Sequence, residues 1–181
     1  MKFIPTEFEG VWVIEPEPHT DERGFFARMW CRDEFEQHGI DPELVQCNVS
    51  FNQHKGTVRG MHFQNAPHEE AKLVRCTHGA IFDVIVDLRE DSPTYLKQFR
   101  VQLSASQRNA LFIPKGFAHG FQTLEARTEV LYQMTTRFVA DAANGIRWND
   151  PALQVAWPLP ISSISAKDED FANFCANRRA A

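Results

Sequence analysis

Two runs of this sequence set a histidine among apolar, strand-forming neighbours beside a basic residue: Arg59-Gly60-Met61-His62-Phe63-Gln64 and Ile113-Pro114-Lys115-Gly116-Phe117-Ala118-His119-Gly120-Phe121. A histidine exchanges a proton near neutral pH, and lysine or arginine can hold negative charge as it develops. Together they point to proton abstraction next to a carbonyl. A lone histidine on an apolar strand is ordinarily a satisfied core residue, so the neighbours carry the argument. Lys72 and Arg75 follow His62 within one hairpin length, and a strand through Lys72-Leu73-Val74 carries its lysine into the same cavity if the phase is right. Buried lysines are costly unless paired or used. Tyr132 sits mid-strand between Val130 and Met134. It reads as an aromatic wall residue, yet a phenol opposite a histidine can return a proton to the face the base did not touch.

The elements that must position these groups are strands. Phe99, Val101 and Leu103 alternate with polar or basic neighbours, as do Val130, Tyr132 and Met134, the period of half-buried strands. Further strands are expected over residues 11–14, 25–30, 44–50, 57–64, 72–76, 81–88 and 110–113, with turns such as Asp91-Ser92-Pro93-Thr94 between them. Many short strands with turn punctuation indicate an all-β sandwich or barrel. Helix is expected only over 33–38 and 168–177. On a regular strand Arg59 and His62 point to opposite faces, so Gly60 is where a bulge can bring them together.

The 181 residues, 43% hydrophobic with fifteen phenylalanines, suffice for one core, and a single domain over 1–181 is expected. The net charge of -5 argues against tracking nucleic-acid phosphates. Cys31, Cys47, Cys76 and Cys175 show no CxxC spacing, no secretory leader precedes them, and no apolar run approaches the roughly 20 residues of a membrane helix. A soluble, cytoplasmic protein is expected.

A rival chemistry makes His62, His68 and His119 the ligands of a cupin-type metal centre, as in a metal-dependent isomerase or oxygenase. Residue 64 is Gln, so the tight His-x-His pair is missing, and only Glu69 or Glu70 could supply the usual glutamate. His19, His38, His54 and His78, and the runs Asp21-Glu22 and Asp168-Glu169-Asp170, read as solvent-facing.

From Asp21 to Asp168 the chain resembles the sugar-nucleotide epimerases typified by dTDP-4-dehydrorhamnose 3,5-epimerase. The resemblance rests on Arg23-Gly24-Phe25-Phe26, Gln46-x-Asn48-x-Ser50, the His62 run, Lys72-Leu73-Val74-Arg75, Asp83-Val84, Ser92-Pro93-Thr94, the His119 run, Tyr132, Trp148-Asn149-Asp150-Pro151, Trp157-Pro158 and Ser165-x-Lys167-Asp168. It implies a cupin-like antiparallel jelly roll, a homodimer that exchanges strands, and a reaction with no metal and no redox cofactor. It further implies a nucleotide-linked 4-keto-6-deoxyhexose as substrate, epimerised at C3, C5 or both. His62 is then the base, Asp168 the carboxylate that orients it, with Asp83 as a second candidate. Lys72 stabilises the enolate and Tyr132 is the acid. Arg23 and Arg59 hold the diphosphate, Gln46 and Asn48 lie near the nucleotide, and His119 and Lys167 near the sugar. A non-catalytic sugar-nucleotide binder is a further reading, which the acid and base pair opposes.

Three positions depart from that family: Arg28 and Ala143 stand where it usually has glutamate, and Phe138 where it has tyrosine. All three are expected in or near the substrate site. If residue 28 meets the base edge, arginine offers only donors and suits the acceptor of cytosine. That yields an alternative, a C5 epimerase of a CDP-linked 4-keto-3,6-dideoxyhexose.

Overall fold

A computed structural model describes residues 1–41 and 43–174. The chain runs through β1 (Lys2–Pro5), β2 (Trp12–Glu15), β3 (His19–Asp21), β4 (Gly24–Phe26), α1 (Arg32–Gln37), β5 (Gln46–Asn52), β6 (Val58–Gln64), β7 (Lys72–His78), β8 (Ala80–Asp87), β9 (Gln98–Ser104), β10 (Ala110–Ile113), β11 (Phe117–Thr123), β12 (Thr128–Met134), a 3-10 turn (Ala140–Ala142), β13 (Ala143–Gly145) and α2 (Ala166–Glu169). A six-stranded sheet in the order β1-β2-β10-β7-β12-β5 packs on a five-stranded sheet in the order β13-β6-β11-β8-β9, and β3-β4 form a separate hairpin. Pairing within the sheets is antiparallel throughout. This is the all-β jelly-roll arrangement.

Alternation explains most of the first sheet. Val74 and Val130 point inward with Leu111 and Ile113, and meet Ile81, Ile85, Phe117 and Phe121 of the second sheet in the principal core. On the outer face, α1 sets Phe35 against Ile14, Leu73 and Phe112. The second sheet is covered on both faces: Met61, Val84, Val86 and Ala118 pack outward against Ile146 and Leu153. All seven residues of β11 are therefore buried, which is why no polar alternation delimits that strand. A strand buried on both sides reads as a continuous apolar run.

Gly60 interrupts regular pairing as expected. His62 faces His119 and Arg59 faces Phe121, so Gly60 and Met61 together oppose Gly120. A Cβ at Gly60 would lie 2.5 Å from the Gly120 Cα, so only glycine allows β6 and β11 to approach there.

Other expectations need correction. The 25–30 strand ends at Phe26. The helix expected over 168–177 is the single turn Ala166–Glu169, capped by Ser165, and its expected residues 175–177 lie outside those described. Asp168 is buried rather than solvent-facing. His38 is half-buried and stacked on Phe3 at 3.9 Å, which ties α1 to β1.

Candidate active site

A cavity of about 430 Å³ opens between the two sheets. The six-stranded sheet supplies Asn48 and Ser50 from β5, Lys72 from β7, and Tyr132 and Met134 from β12. Their phases agree because each pair lies two residues apart on its strand, and register aligns them: Asn48 and Val74 flank Tyr132, and Gln46 and Lys72 flank Met134. The facing sheet supplies Arg59 and His62 from β6 and His119 from β11. The bulge at Gly60 turns Arg59 and His62 into one cavity. Ser165, Lys167 and Asp168 close one side and Phe138 the rim.

His62 Nε2 lies 2.7 Å from Asp168 Oδ1, while Gly60 N–H donates to Oδ2 at 3.2 Å. Burial alone would raise the Asp168 carboxyl. The bond and charge of His62, with donors at Gly60 and Ser165, hold it below the ordinary carboxylate range. An ionised Asp168 can only accept, so Nε2–H donates to it and Nδ1 is the nitrogen with a free lone pair. The His62 side chain is 42% exposed to the cavity while that of Asp168 is 6% exposed. The base is open and its anchor is shielded.

Asp83 is not the partner of His62; it bonds His119 Nε2 at 2.8 Å. His119 is thereby fixed, and its ring lies 6.3 Å from that of Tyr132. The Tyr132 hydroxyl bonds Ser50 Oγ at 3.1 Å. Burial pushes its phenol well above the ordinary value, only partly offset by Ser50. It is therefore a protonated group at neutral pH, standing on the wall opposite the base.

Lys72 Nζ pairs with Glu70 Oε1 at 2.9 Å, with both side chains buried. Glu70, considered in the sequence only as a metal ligand, is the principal residue that sequence reasoning missed. Its Oε2 has no hydrogen bond among the described residues, so Lys72 is the counter-charge that makes its burial tolerable. Ser50 was part of a quoted motif without an assigned role. Arg59 is held by Asn52 Oδ1 at 2.7 Å, and Gln46 Oε1 receives the Phe138 N–H at 3.0 Å.

Three predicted site residues do not line this cavity: Gln46, which lies beside it against Met134 and the Phe138 backbone, Arg23 and Arg28. Arg23 is exposed and paired with Asp21 on the β3-β4 hairpin. Arg28 Nη1 bonds Glu34 Oε1 of α1 at 2.7 Å on the surface, away from this cavity. Ala143 does line the cavity. The metal-centre reading finds no geometric support: His62 and His119 each face a carboxylate, and among the described residues no three His, Cys, Asp or Glu side chains cluster to hold an ion.

Comparison with known proteins converges on one family. A profile described as dTDP-4-dehydrorhamnose 3,5-epimerase matches residues 5–175. Curated relatives of that name include one from Sinorhizobium fredii, 41% identical over 97% of this chain and 90% of its own length. Another, from Escherichia coli K12, is 43% identical over 93% of this chain and 92% of its own. Among solved structures, a Bacillus anthracis dTDP-4-dehydrorhamnose 3,5-epimerase with TDP and pyrophosphate bound superposes with a TM-score of 0.93 at 41% identity, covering 96% of this chain and 99% of that one. A Legionella pneumophila 3,5-epimerase in complex with dTDP-4-keto-L-rhamnose gives 0.89 at 37% identity, covering 95% and 92%.

Proposed function

The chain belongs to the dTDP-4-dehydrorhamnose 3,5-epimerase family, is an isomerase of that class, and we propose that it inverts C3 and C5 of dTDP-4-keto-6-deoxyglucose with His62 and Tyr132 as base and acid. The observation that carries the assignment is their placement. An anchored imidazole and a protonated phenol stand on facing sheets across one cavity, and inversion requires proton removal from one face and delivery to the other.

The C4 ketone acidifies the hydrogens at C3 and C5. His62 Nδ1 takes one of them, and Asp168 balances the imidazolium that forms. Lys72 donates to the C4 oxygen as it becomes an enolate, a developing charge that a fixed donor stabilises most in a water-poor cavity. Tyr132 returns a proton to the opposite face, and the burial that raises its pKa keeps that proton available. Arg59 meets diphosphate, for which a guanidinium has the matching fork of donors. Gln46, Asn48 and Phe138 border the nucleotide, and His119 and Lys167 the sugar.

Arg23 cannot serve its own cavity from the exposed hairpin. A homodimer in which a second copy lends its β3-β4 hairpin supplies that guanidinium, and the surface supports such pairing. β5 is an unpaired sheet edge with Val45, Val49 and Phe51 exposed, and Phe26 is 77% exposed. Sedimentation at micromolar concentration tests this, and a monomer with full activity opposes it. The relatives support dTDP over the CDP-sugar alternative, since the solved structures from Bacillus anthracis and Legionella pneumophila carry TDP or a dTDP-linked sugar.

The deciding experiment follows solvent deuterium into dTDP-4-keto-6-deoxyglucose by proton NMR. Exchange and inversion at both C3 and C5, abolished in His62→Ala with dTDP binding kept, is the expected result. No exchange, or undiminished exchange in His62→Ala, overturns the assignment.

A further inference from the structure

Gly145 has no conformational need to be glycine, since its φ lies outside the left-handed region. Its position has another. A methyl group there would sit within 2.6 Å of three carbons of the Phe171 ring, closer than carbon atoms can approach. Gly145 is also the register partner of His62 across β13 and β6, and the Phe171 ring stands edge-on to the His62 imidazole, with centroids 5.8 Å apart at 70°. One aromatic ring therefore rests on the glycine and walls the histidine at once.

Phe171 follows Asp168 by three residues on the segment that closes the cavity. That segment is fastened at both ends: Val58 N–H donates to Ser163 at 2.9 Å, Arg147 N–H donates to Ala172 at 3.2 Å, and Phe174 N–H donates to Asp150. Between the fastenings, Phe171 on Gly145 is the apolar contact that accompanies the bonds of Asp168 to His62 and to Gly60 N–H, and it limits how deeply the segment, and Asp168 with it, can sit. The anchor of His62 and the wall of His62 thus share one seat.

We propose that Gly145 and Phe171 are positioning residues for the His62–Asp168 pair, the ring fixing the height of Asp168 and the tilt of the imidazole. The proposal rests on His62 being the base. A displacement near 1 Å of a reacting group costs up to about 100-fold in rate, so Gly145→Ala should lower kcat by about 10- to 100-fold and leave KM within about 3-fold. Alanine is otherwise at least as well tolerated as glycine in a strand at ordinary φ, so a loss must come from the ring.

The test is a double-mutant cycle read by deuterium exchange at C3 and C5, beside His62→Ala. Phe171→Ala should lower kcat with KM kept, and Phe171→Tyr, which retains the ring, should stay near wild type. Gly145→Ala should do no further harm in the Phe171→Ala background, because the overlap is gone. Full activity in Gly145→Ala, or additive losses in the double variant, overturns the proposal. If Gly145→Ala fails to fold, wild-type kcat in Phe171→Ala overturns it alone. Undiminished exchange in His62→Ala would instead sink the assignment of the base.

Discussion

Asp168→Asn tests the site at its least exposed catalytic group. The carboxylate makes two different contacts, Oδ1 to His62 Nε2 at 2.7 Å and Oδ2 to Gly60 N–H at 3.2 Å. The asparagine in D168N is isosteric but has only one oxygen. Gly60 N–H is a fixed donor, so the oxygen turns to it and the amide NH2 faces His62. Nε2 then becomes the acceptor, the proton moves to Nδ1, and the nitrogen that should receive the substrate proton has no lone pair left. The charge is lost as well. An imidazolium and a carboxylate about 4 Å apart at an effective dielectric near 20 attract by about 4 kcal/mol, equal to about 1000-fold in rate. The wrong tautomer adds to this, as the analogous change does in serine protease triads, where kcat falls about 10,000-fold. D168N should therefore lose about 1000- to 10,000-fold in kcat, measured as deuterium entry at C3 and C5, while dTDP affinity by calorimetry stays within about 3-fold. A variant that keeps more than about a tenth of wild-type turnover would refute the reasoning about the tautomer and about Asp168 as anchor.

Tyr132→Phe should abolish inversion by about 100-fold or more while His62-dependent deuterium exchange at the substrate continues, which NMR separates from product formation; equal loss of both would show that Tyr132 is not the acid. Glu70→Ala leaves the Lys72 ammonium buried and unpaired and should cost about 3–5 kcal/mol of unfolding free energy, whereas the paired change Glu70→Met with Lys72→Met should recover most of that stability without recovering turnover. Asp87, bonded by Arg89, Ser92 and Thr94, has its carboxyl lowered from 3.8 to about 2 against the opposing effect of burial. Its stabilisation is present above pH 3.8 and lost as pH falls through about 2, so urea melts should show wild type losing about 2 kcal/mol over that interval. Asp87→Asn should lack that share of the slope and be less stable at pH 7.

Part of the cavity lining was legible because strands expose their phase, whereas the roles of His62, Asp168 and Lys72 as base, anchor and enolate donor came from the family resemblance. Gln46, Asn48 and Ser50, or Tyr132 and Met134, declare a common face by spacing, and a glycine between Arg59 and His62 marks where a regular face must break. Partnership was not legible in that way. Asp83 and Asp168 are both far along the chain from His62, and only the sheet order decides that β8 delivers Asp83 to His119 while the closing segment delivers Asp168 to His62. Arg28 is a related case: its donor chemistry suits a base edge, and sequence gives no sign that in the folded chain its neighbour is Glu34 on the next helix. The Glu70–Lys72 pair and the seat of Phe171 on Gly145 leave no periodic trace, since each depends on how segments outside a regular strand run back across a sheet. The covered outer face of the second sheet likewise hid β11, whose polar residues His119, Gln122 and Thr123 are buried with bonded partners rather than turned to water.

His62 and Tyr132 belong to different sheets, and beyond the cavity those sheets are held apart by hydrocarbon. Val74 and Val130 on one side and Ile81 and Ile85 on the other are fully buried in the shared core, close-packed and nearly incompressible. Their summed thickness sets the span that the sugar ring has to bridge from base to acid. The core is in this sense a gauge block. Changing a methylene in it alters the distance over which a proton must be handed across, without touching any atom of the cavity.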